Sequence, residues 1–517
     1  MRLFFMNAGQ MRARLAQAGA VVAAVVLVAG CGSAYRPVVT PINTSGPAAQ
    51  VTSYAVVVSA PSPTTPGIVT IIDYSGDTVL VEAPVGPGPI AFTIDALASN
   101  GYTVNSDGTL SNFPLTATGS GALQAKSVTY STLSSAAQPA PPHPPLNMFS
   151  PSFGLWTADL GGSFADVFTG FPQAFKVAIP VAATPVTIIG PGSIGQYNYA
   201  ISQNIANPTG VECNTSPRTV QVNGQADALG TNAYTVSATI PLDPTNPTND
   251  PTGTMNALCP VYAVQSADGR RLFVLNRGSD TISVINDQNN TLDSCAPFLN
   301  QNGQTVTCHP SLPLSTSAGL PQNAGGTVPS VAGPVYAEYN AATAQLVVAD
   351  YDGNAISVID VSMDEYGNDS STFGTTFTIP VGNNPASVTA LADGSRAYTA
   401  NQTDQTVTIV NLNSHTVEKT LPVIGHPRTV VSTQNSTIGK VYVASPDSPY
   451  LTILRTDLDI VDRTIPVEGN IVDVRATTQN GSQGNAIDVS RVPGYGEPCY
   501  LPGAAAQATL AACQTLP

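Results

Sequence analysis

Residues Arg271–Asn286 read RLFVLNRGSDTISVIN, and this stretch nearly recurs twice further along the chain. Residues 345–360 read QLVVADYDGNAISVID, and residues 396–411 read RAYTANQTDQTVTIVN. In each copy, two runs of alternating apolar and β-branched residues flank a polar turn, which is the pattern of a β-hairpin. Either the turn is a site or the whole pattern is a structural unit.

Two further strand-like runs complete each repeat. The run TFTIPVGNNP (376–385) follows one hairpin, and ASVTALADGSR (386–396) precedes the next, with Asp393-Gly394 as a turn signal. Four short antiparallel strands per repeat are the composition of a propeller blade. The candidate ends of second strands are Ser59, Asn105, Asp159, Ser202, Asn276, Asp350, Asn401 and Ser445.

These residues resemble the YVTN-type β-propeller repeat of bacterial and archaeal surface proteins, which is related to lactonase-like propellers. YTAN (398–401) and YVAS (442–445) stand where the signature of that family falls, and ISVIND (282–287) matches its following strand. The resemblance is strong over about 260–470 and weaker before it. It implies an all-β fold, a single β-propeller of seven or eight four-stranded blades with inserted loops.

Composition and repeat spacing divide the chain into four parts. They are a lipoprotein signal peptide (1–30), a flexible tether (31–52), the propeller (53–478, with insertions at about 205–258 and 290–332) and a disulfide-closed C-terminal tail (479–517). The orphan strand NIVDVRATT (470–478) follows the last complete repeat. We expect it to close the ring by pairing with the first blade, because closure removes an exposed edge.

The N-terminal segment has the features of an export signal. It contains no acidic residue, and Arg12 and Arg14 precede the apolar run AGAVVAAVVLVA (18–29), which is too short for a comfortable transmembrane span. The segment ends in LVAGCGS (27–33), which resembles a bacterial lipobox. Cys31 is therefore the expected lipidation site and membrane contact. No Asp follows it, so an outer membrane is the favoured location, with the protein facing the periplasm or the cell surface.

Six cysteines remain after Cys31, and an even number in an exported chain suggests disulfides. Six cysteines formally allow many pairings, but each neighbouring pair falls within one extra segment. The predicted disulfides are Cys213–Cys259, Cys295–Cys308 and Cys499–Cys513. No CxxC motif occurs, which argues against a zinc knuckle, a thioredoxin-like site or covalently attached haem.

Candidate chemistry is sparse. The turn DYDGN (350–354) fails as a calcium loop because Gly353 stands at the fourth position rather than the sixth. Arg396 and Arg428 fall in blade-edge turns, where we expect solvated cations. The histidines offer no convergent metal-binding set; they are His143, His309, His415 and His426. We therefore predict no catalytic residue, metal or cofactor.

Aromatic residues cluster in the divergent third repeat. They are Phe149, Phe153, Trp156, Phe164 and Phe168. A sugar-stacking platform and core packing both use such residues, and core packing is the better fit.

Two functions remain open. A net charge of −15 and scattered Lys and Arg argue against nucleic acid as a partner. The anchor and the pinned insertions favour a membrane-tethered binding or scaffold module for a protein, glycan or cell-envelope partner. The alternative is a periplasmic lactonase-like hydrolase with its site at the propeller channel. Whether the chain is an enzyme stays open, and the sequence leans against it.

The lining of the channel separates these two functions. A hydrolase needs at least two carboxylates plus a His or Arg that converge within hydrogen-bond reach. The candidate innermost strands ASVTAL (386–391), RTVVST (428–433) and VYAEYN (335–340) instead predict a lining of mostly uncharged side chains.

Overall fold

The structure is a computed structural model in which the described elements are β-strands. It describes residues 54–115, 129–132, 145, 147–151, 154–159, 162–170, 173–190, 197–205, 223–243, 257–299, 303, 305–314 and 332–477. Within these ranges no helix is long and apolar enough to cross a membrane. The predictions for residues 1–53 and 478–517, Cys31 and the tail disulfide among them, lie outside the described residues and stay predictions.

Eight antiparallel sheets form the eight blades of a β-propeller, and the strands of each blade follow one another from the axis outward. Blade 1 contains β35 (Asn470–Ala476) as its innermost strand, then β1 (Tyr54–Ala60), β2 (Pro66–Asp73) and β3 (Val79–Pro87). Blade 2 contains β4 (Pro89–Ile94), β5 (Asn100–Asn105), β6 (Thr109–Pro114) and β7 (Thr129–Thr132). Blade 3 contains β8 (Met148–Phe149), β9 (Leu155–Ala158), β10 (Phe164–Thr169) and β11 (Ala174–Pro180). Blade 4 contains β12 (Pro185–Ile189), β13 (Tyr197–Ser202), β14 (Gln225–Gly230) and β15 (Val236–Pro241).

The other four blades have the same order. Blade 5 contains β16 (Pro260–Gln265), β17 (Arg271–Asn276) and β18 (Thr281–Asn286), with β19 (Thr291–Leu292) and β22 (Ser311–Pro313) both on its outer edge. A separate hairpin, β20 (Phe298–Leu299) and β21 (Thr305–Val306), lies between those two edge strands in sequence. Blade 6 contains β23 (Pro334–Asn340), β24 (Gln345–Asp350), β25 (Ala355–Asp360) and β26 (Thr376–Pro380). Blade 7 contains β27 (Pro385–Ala390), β28 (Arg396–Asn401), β29 (Thr406–Asn411) and β30 (Thr416–Pro422). Blade 8 contains β31 (Thr429–Ser432), β32 (Lys440–Ala444), β33 (Tyr450–Arg455) and β34 (Ile460–Pro466).

The repeated hairpins are structural units. The eight predicted second-strand ends all fall at or within one residue of the ends of second strands, which confirms eight blades. Their turns join neighbouring blades: the Arg277 guanidinium donates to both carboxylate oxygens of Asp352, at 3.0 and 2.8 Å. Similarly, the Asn384 backbone N–H donates to Oδ1 of Asn354 at 2.9 Å. The polar turn residues therefore hold the ring together.

The two predicted insertions are partly built into blades. Residues 223–243 supply β14 and β15 of blade 4, so the first insertion is shorter than the predicted 205–258. In the second, the predicted Cys295–Cys308 disulfide forms, with 5.4 Å between the Cα atoms. Cys259 is also disulfide-bonded, whereas Cys213 lies outside the described residues, so that pairing stays a prediction.

The innermost strands run parallel around the axis. The Ser387 hydroxyl in blade 7 donates to the backbone carbonyl of Arg428 at 2.7 Å, and the Ala390 N–H donates to the Glu338 carboxylate in blade 6 at 3.1 Å. All innermost strands therefore begin on one face of the disc and end on the other. We name the second face the tether face, because it contains Tyr54, whose carbonyl accepts the Thr477 N–H at 2.9 Å.

The ring closes through β35, as predicted. This strand, from the C-terminal part of the chain, pairs antiparallel with β1 over Ala55–Ala60. Its apolar residues Ile471, Val472 and Val474 are buried. Burial of three aliphatic side chains contributes roughly 5–9 kcal/mol, which is comparable with the whole stability of a typical domain.

Deletion of β35 is expected to abolish the cooperative fold. A chain that ends at Gly469 should lose its sharp thermal transition and its protease resistance, because β1 becomes an open edge and the core loses three buried aliphatic side chains. A chain that ends at Gln479 is the matched control and should keep both properties. Equal thermal midpoints for the two truncated chains would contradict the assigned role of β35.

Candidate functional site

One register position of the innermost strands forms a layer around the axis. In complete innermost strands, the residue after the first one forms a bulge and is left unpaired. The residue after the bulge pairs with the second-to-last position of the second strand, as Tyr262 does with Leu275 and Tyr336 does with Ala349. Asp473 of β35 has the same place opposite Val58. We name these equivalent positions the channel layer; they are Ala91, Asn147, Thr187, Tyr262, Tyr336, Ser387, Thr429 and Asp473.

Charged side chains from the opposite side of the propeller interact with the tyrosines of this layer. The rings of Tyr262 and Tyr336, in adjacent blades 5 and 6, have centroids 4.8 Å apart. The charge of Arg475 in blade 1 acts on both tyrosines, and the charge of Glu338 acts on them as well. Blade 1 stands opposite blade 5 in an eight-membered ring, so these groups converge at the axis.

We name Tyr262, Tyr336, Glu338, Asp473 and Arg475 the channel cluster. A guanidinium nitrogen of Arg475 lies 3.3 Å from the Asp473 carboxylate. That carboxylate also accepts the backbone N–H of Val474 at 2.9 Å. Burial raises the pKa of both tyrosines above the ordinary value, so both hydroxyls stay protonated and act as donors at neutral pH.

The channel cluster closes the channel at its own level. Each of its residues exposes 4% of its surface or less. The cluster contains the two carboxylates and the arginine that a hydrolytic site requires, which makes the lining more charged than the sequence predicts. A substrate would reach these groups only after the side chains moved apart.

Several buried polar atoms in the same region have no hydrogen-bond partner among the described residues. They are both amide atoms of Asn147, the hydroxyls of Thr187 and Thr429, and Nε of Arg475. Buried polar groups are normally satisfied by protein or by ordered water. The channel layer therefore has the chemistry to hold small polar molecules, water first among them.

Arg428 supports the channel from blade 8. From the sequence we expect Arg428 to be exposed to solvent; that expectation is wrong, because its side chain is buried. Its guanidinium donates to the backbone carbonyl of Val472 in β35, so it joins the last blade to the first. Arg396 is also engaged, because its guanidinium pairs with Asp459 on the neighbouring blade.

Two histidines are paired with carboxylates, a pairing that the sequence did not reveal. Nδ1 of His309 lies 2.7 Å from Asp369, whose other carboxylate oxygen is 3.3 Å from Arg271. Nδ1 of His426 lies 2.6 Å from Asp447. The first pair attaches the disulfide-closed insertion of blade 5 to blade 6. The second lies on the face opposite the tether face, between blades 7 and 8.

The third blade contains a buried pair of carboxyl groups. In blade 5 the second-strand end Asn276 donates to the hydroxyl of Ser283 at 2.9 Å. In blade 3 the equivalent positions are Asp159 and Asp166. Burial, and then the charge of Asp166, raises the pKa of Asp159 to about 8, and burial raises the pKa of Asp166 to about 7. The pair therefore holds at least one proton at neutral pH.

The aromatic side chains of blade 3 pack in the core. Phe149, Trp156 and Phe168 are buried, and the Trp156 ring lies 5.9 Å from that of Tyr234. Core packing is thus confirmed for these three.

The carboxylates of the turn 350–354 serve the fold. Asp352 binds Arg277, and Asp350 accepts the Ser357 hydroxyl at 2.6 Å. Among the described residues no three His, Cys, Asp or Glu side chains could together hold a metal ion.

Comparison with known proteins supports the fold alone. No protein-family model matches the chain, and no curated protein matches its sequence. AztD from Citrobacter koseri is similar in structure, with a TM-score of 0.51 and 12% identity over 82% of this chain and 97% of that one. The periplasmic gluconolactonase PpgL from Pseudomonas aeruginosa gives a TM-score of 0.45 and 13% identity over 82% and 98% of the two chains. The chain is an eight-bladed β-propeller.

The carboxyl pair of blade 3 is expected to make stability depend on pH. The folded pair has pKa values of about 8 and about 7, well above the unfolded value of about 3.9. The folded state therefore binds a proton that the unfolded chain releases, and stability falls as the pH rises from about 4 to about 8. The variant D159N/D166S, which installs the pair found in blade 5, should gain on the order of 2 kcal/mol at pH 8.

Thermal unfolding across this pH range measures the effect. The variant should show a flatter pH dependence than the parent, with the largest gain at alkaline pH. The exposed turn variant Asp404→Asn serves as the control and should follow the parent. If D159N/D166S and the parent gave parallel curves, the carboxyl pair would not be a proton-binding site.

Proposed function

We propose that the protein is an exported lipoprotein of YVTN-like propeller type, anchored to the cell envelope through Cys31. It acts as a rigid binding or scaffold module for a protein, glycan or envelope partner. The lipobox-like sequence supports the anchor. The interlocked ring of eight blades supports rigidity, because closure leaves no free sheet edge at the seam.

The observation that favours a scaffold over an enzyme is the closed channel. The groups with catalytic potential are Glu338, Asp473 and Arg475; all three are shielded from solvent, and Arg475 is paired with Asp473. Catalytic groups must touch the reacting atoms within hydrogen-bond distance. A channel filled by its own side chains offers a substrate no such position, whereas the outer surfaces remain available to a partner.

A lactonase-like hydrolase is the second candidate, and the convergence of the channel cluster is the observation that favours it. Two carboxylates, one arginine and two protonated tyrosines provide a base and several donors at one place. In this role Glu338 would accept a proton, and Arg475 and the tyrosine hydroxyls would stabilise negative charge on the substrate.

Anchoring is tested with the variant Cys31→Ser. It should accumulate as uncleaved precursor that carries no lipid, because no thiol is available for acylation. Membrane fractionation and mass spectrometry of the N-terminus provide the measurement. The matched variant Cys295→Ser also replaces a cysteine, but one that is disulfide-bonded and outside the lipobox-like sequence, and it should be processed normally. Normal cleavage and lipid attachment of the Cys31→Ser form would end the anchoring proposal.

Catalysis is tested with a panel of sugar lactones and the variant Glu338→Gln. For a scaffold we expect the purified parent to hydrolyse them no faster than the variant does. General acid–base groups typically contribute about 10²–10⁴-fold to a rate. A loss of that size in Glu338→Gln, with the fold retained, would establish the hydrolase in place of the scaffold.

A further inference from the structure

Exposed apolar side chains surround the point where the tether enters the propeller. They lie on blades 8, 1 and 2, at the tether-face ends of these blades. We name this set the apolar apron; it consists of Val79, Leu80, Leu97, Ile438 and Leu458. Leu97 is 60% exposed and Leu458 is 54% exposed, and exposed apolar side chains that are grouped in this way mark a contact surface.

Contacts between blades make the apron one surface. The Tyr74 hydroxyl of blade 1 donates to the backbone carbonyl of Ile438 in blade 8 at 2.6 Å. The Lys440 ammonium lies 5.3 Å from the centre of the same tyrosine ring. Blade 1 is also joined to blade 2. Tyr54 of blade 1 and Ile94, at the end of the innermost strand of blade 2, pack against the same buried apolar cluster.

The two faces of the disc differ in exposed apolar surface. The tether face also includes Tyr366, in the loop between β25 and β26, which is 48% exposed. The insertion that carries Phe298 and Leu299 leaves the outer edge of blade 5 opposite Val284, near the middle of that strand. Among the described residues, the exposed large apolar side chains near the opposite face are Ile424 and Tyr450.

Basic side chains beside the apron are paired with carboxylates. Lys440 pairs with Asp77 at 2.5 Å, although the chain as a whole is strongly acidic. Arg463 pairs with Asp462 at 2.9 Å, and Arg455 pairs with Asp457 on the adjacent turn. An apolar surface with matched charges suits zwitterionic lipid headgroups, which carry both signs at the same depth.

The tether ties this same face to the membrane. Segment 32–53 joins the expected lipidation site to Tyr54. Its composition predicts a flexible tether with a root-mean-square span of roughly 25 Å. Such a tether keeps the apron at a high effective concentration beside the bilayer, so weak apolar contacts are sufficient for docking.

We propose that the tether face of the propeller docks on the bilayer, with the apolar apron in the headgroup region of a zwitterionic membrane. This orientation rests on the anchoring proposed for Cys31. It leaves the opposite face, with the hairpin turns and the His426–Asp447 pair, directed away from the membrane.

Tryptophan fluorescence tests the orientation. Residues 31–517 are coupled through the Cys31 thiol to a maleimide lipid, with the other cysteines oxidised, in phosphatidylcholine–phosphatidylethanolamine vesicles. Leu458→Trp or Leu97→Trp places a probe in the apron. Ile424→Trp, at a similarly exposed site on the opposite face, is the matched control. The single native tryptophan, Trp156, is buried in blade 3 and adds the same background to every variant.

Brominated acyl chains should quench the added emission of the apron probes about two-fold and leave that of Ile424→Trp unchanged, because quenching needs contact with lipid. Equal quenching on both faces, or none on either, would overturn the orientation; the second result would assign the apron to a protein partner. In the vesicle experiment the lipid is attached chemically, so its result does not depend on acylation in cells. A failure of the proposed anchoring would appear separately, in the processing of the Cys31→Ser form.

Discussion

The pairing of β35 with β1 is the constraint on which the rest of the structure depends. A propeller of open sheets would leave β1 as an unpaired innermost strand, and closure supplies its missing partner from the C-terminal part of the chain. Closure also places Asp473 and Arg475 at the axis, opposite Tyr262 of blade 5. The same hydrogen bonds that finish the fold therefore assemble the channel cluster.

Buried charge in that cluster is a poor source of stability. Removing a carboxylate and a guanidinium from water costs several kcal/mol per ion, and their mutual attraction returns about as much only when the geometry is good. The Asp473 carboxylate accepts one further hydrogen bond from a backbone N–H, and the Glu338 carboxylate accepts one from a backbone N–H of the next blade. The bond to Glu338 joins two neighbouring innermost strands and fixes the height at which they meet, so this part of the polar centre serves register more than stability.

The two faces of the disc carry different chemistry because different turns build them. Hairpin turns on one face interlock through side chains such as Arg277 and Asp352, which leaves little apolar surface exposed. The turns on the tether face also contact one another between blades, as Lys440 does with Asp77, but they leave Leu97, Ile438 and Leu458 open to contact. With the anchor proposed at Cys31, this difference would give the propeller a defined orientation, with the tether face on the bilayer.

By itself, the sequence determined the four-stranded blade and limited the number of blades to seven or eight. Strand alternation and turn residues are local signals, so all eight second-strand ends, the closing strand 470–478 and the Cys295–Cys308 bridge could be predicted. Charged residues inside the strand NIVDVRA (470–476) were the signal that sequence reasoning missed. Only the tertiary structure decided that Arg475 meets Tyr336 and Tyr262 from across the axis, or that blade 3 buries two carboxyl groups together. Those contacts join residues far apart in the chain, and ring closure and blade packing, which no local pattern encodes, bring them within reach of each other.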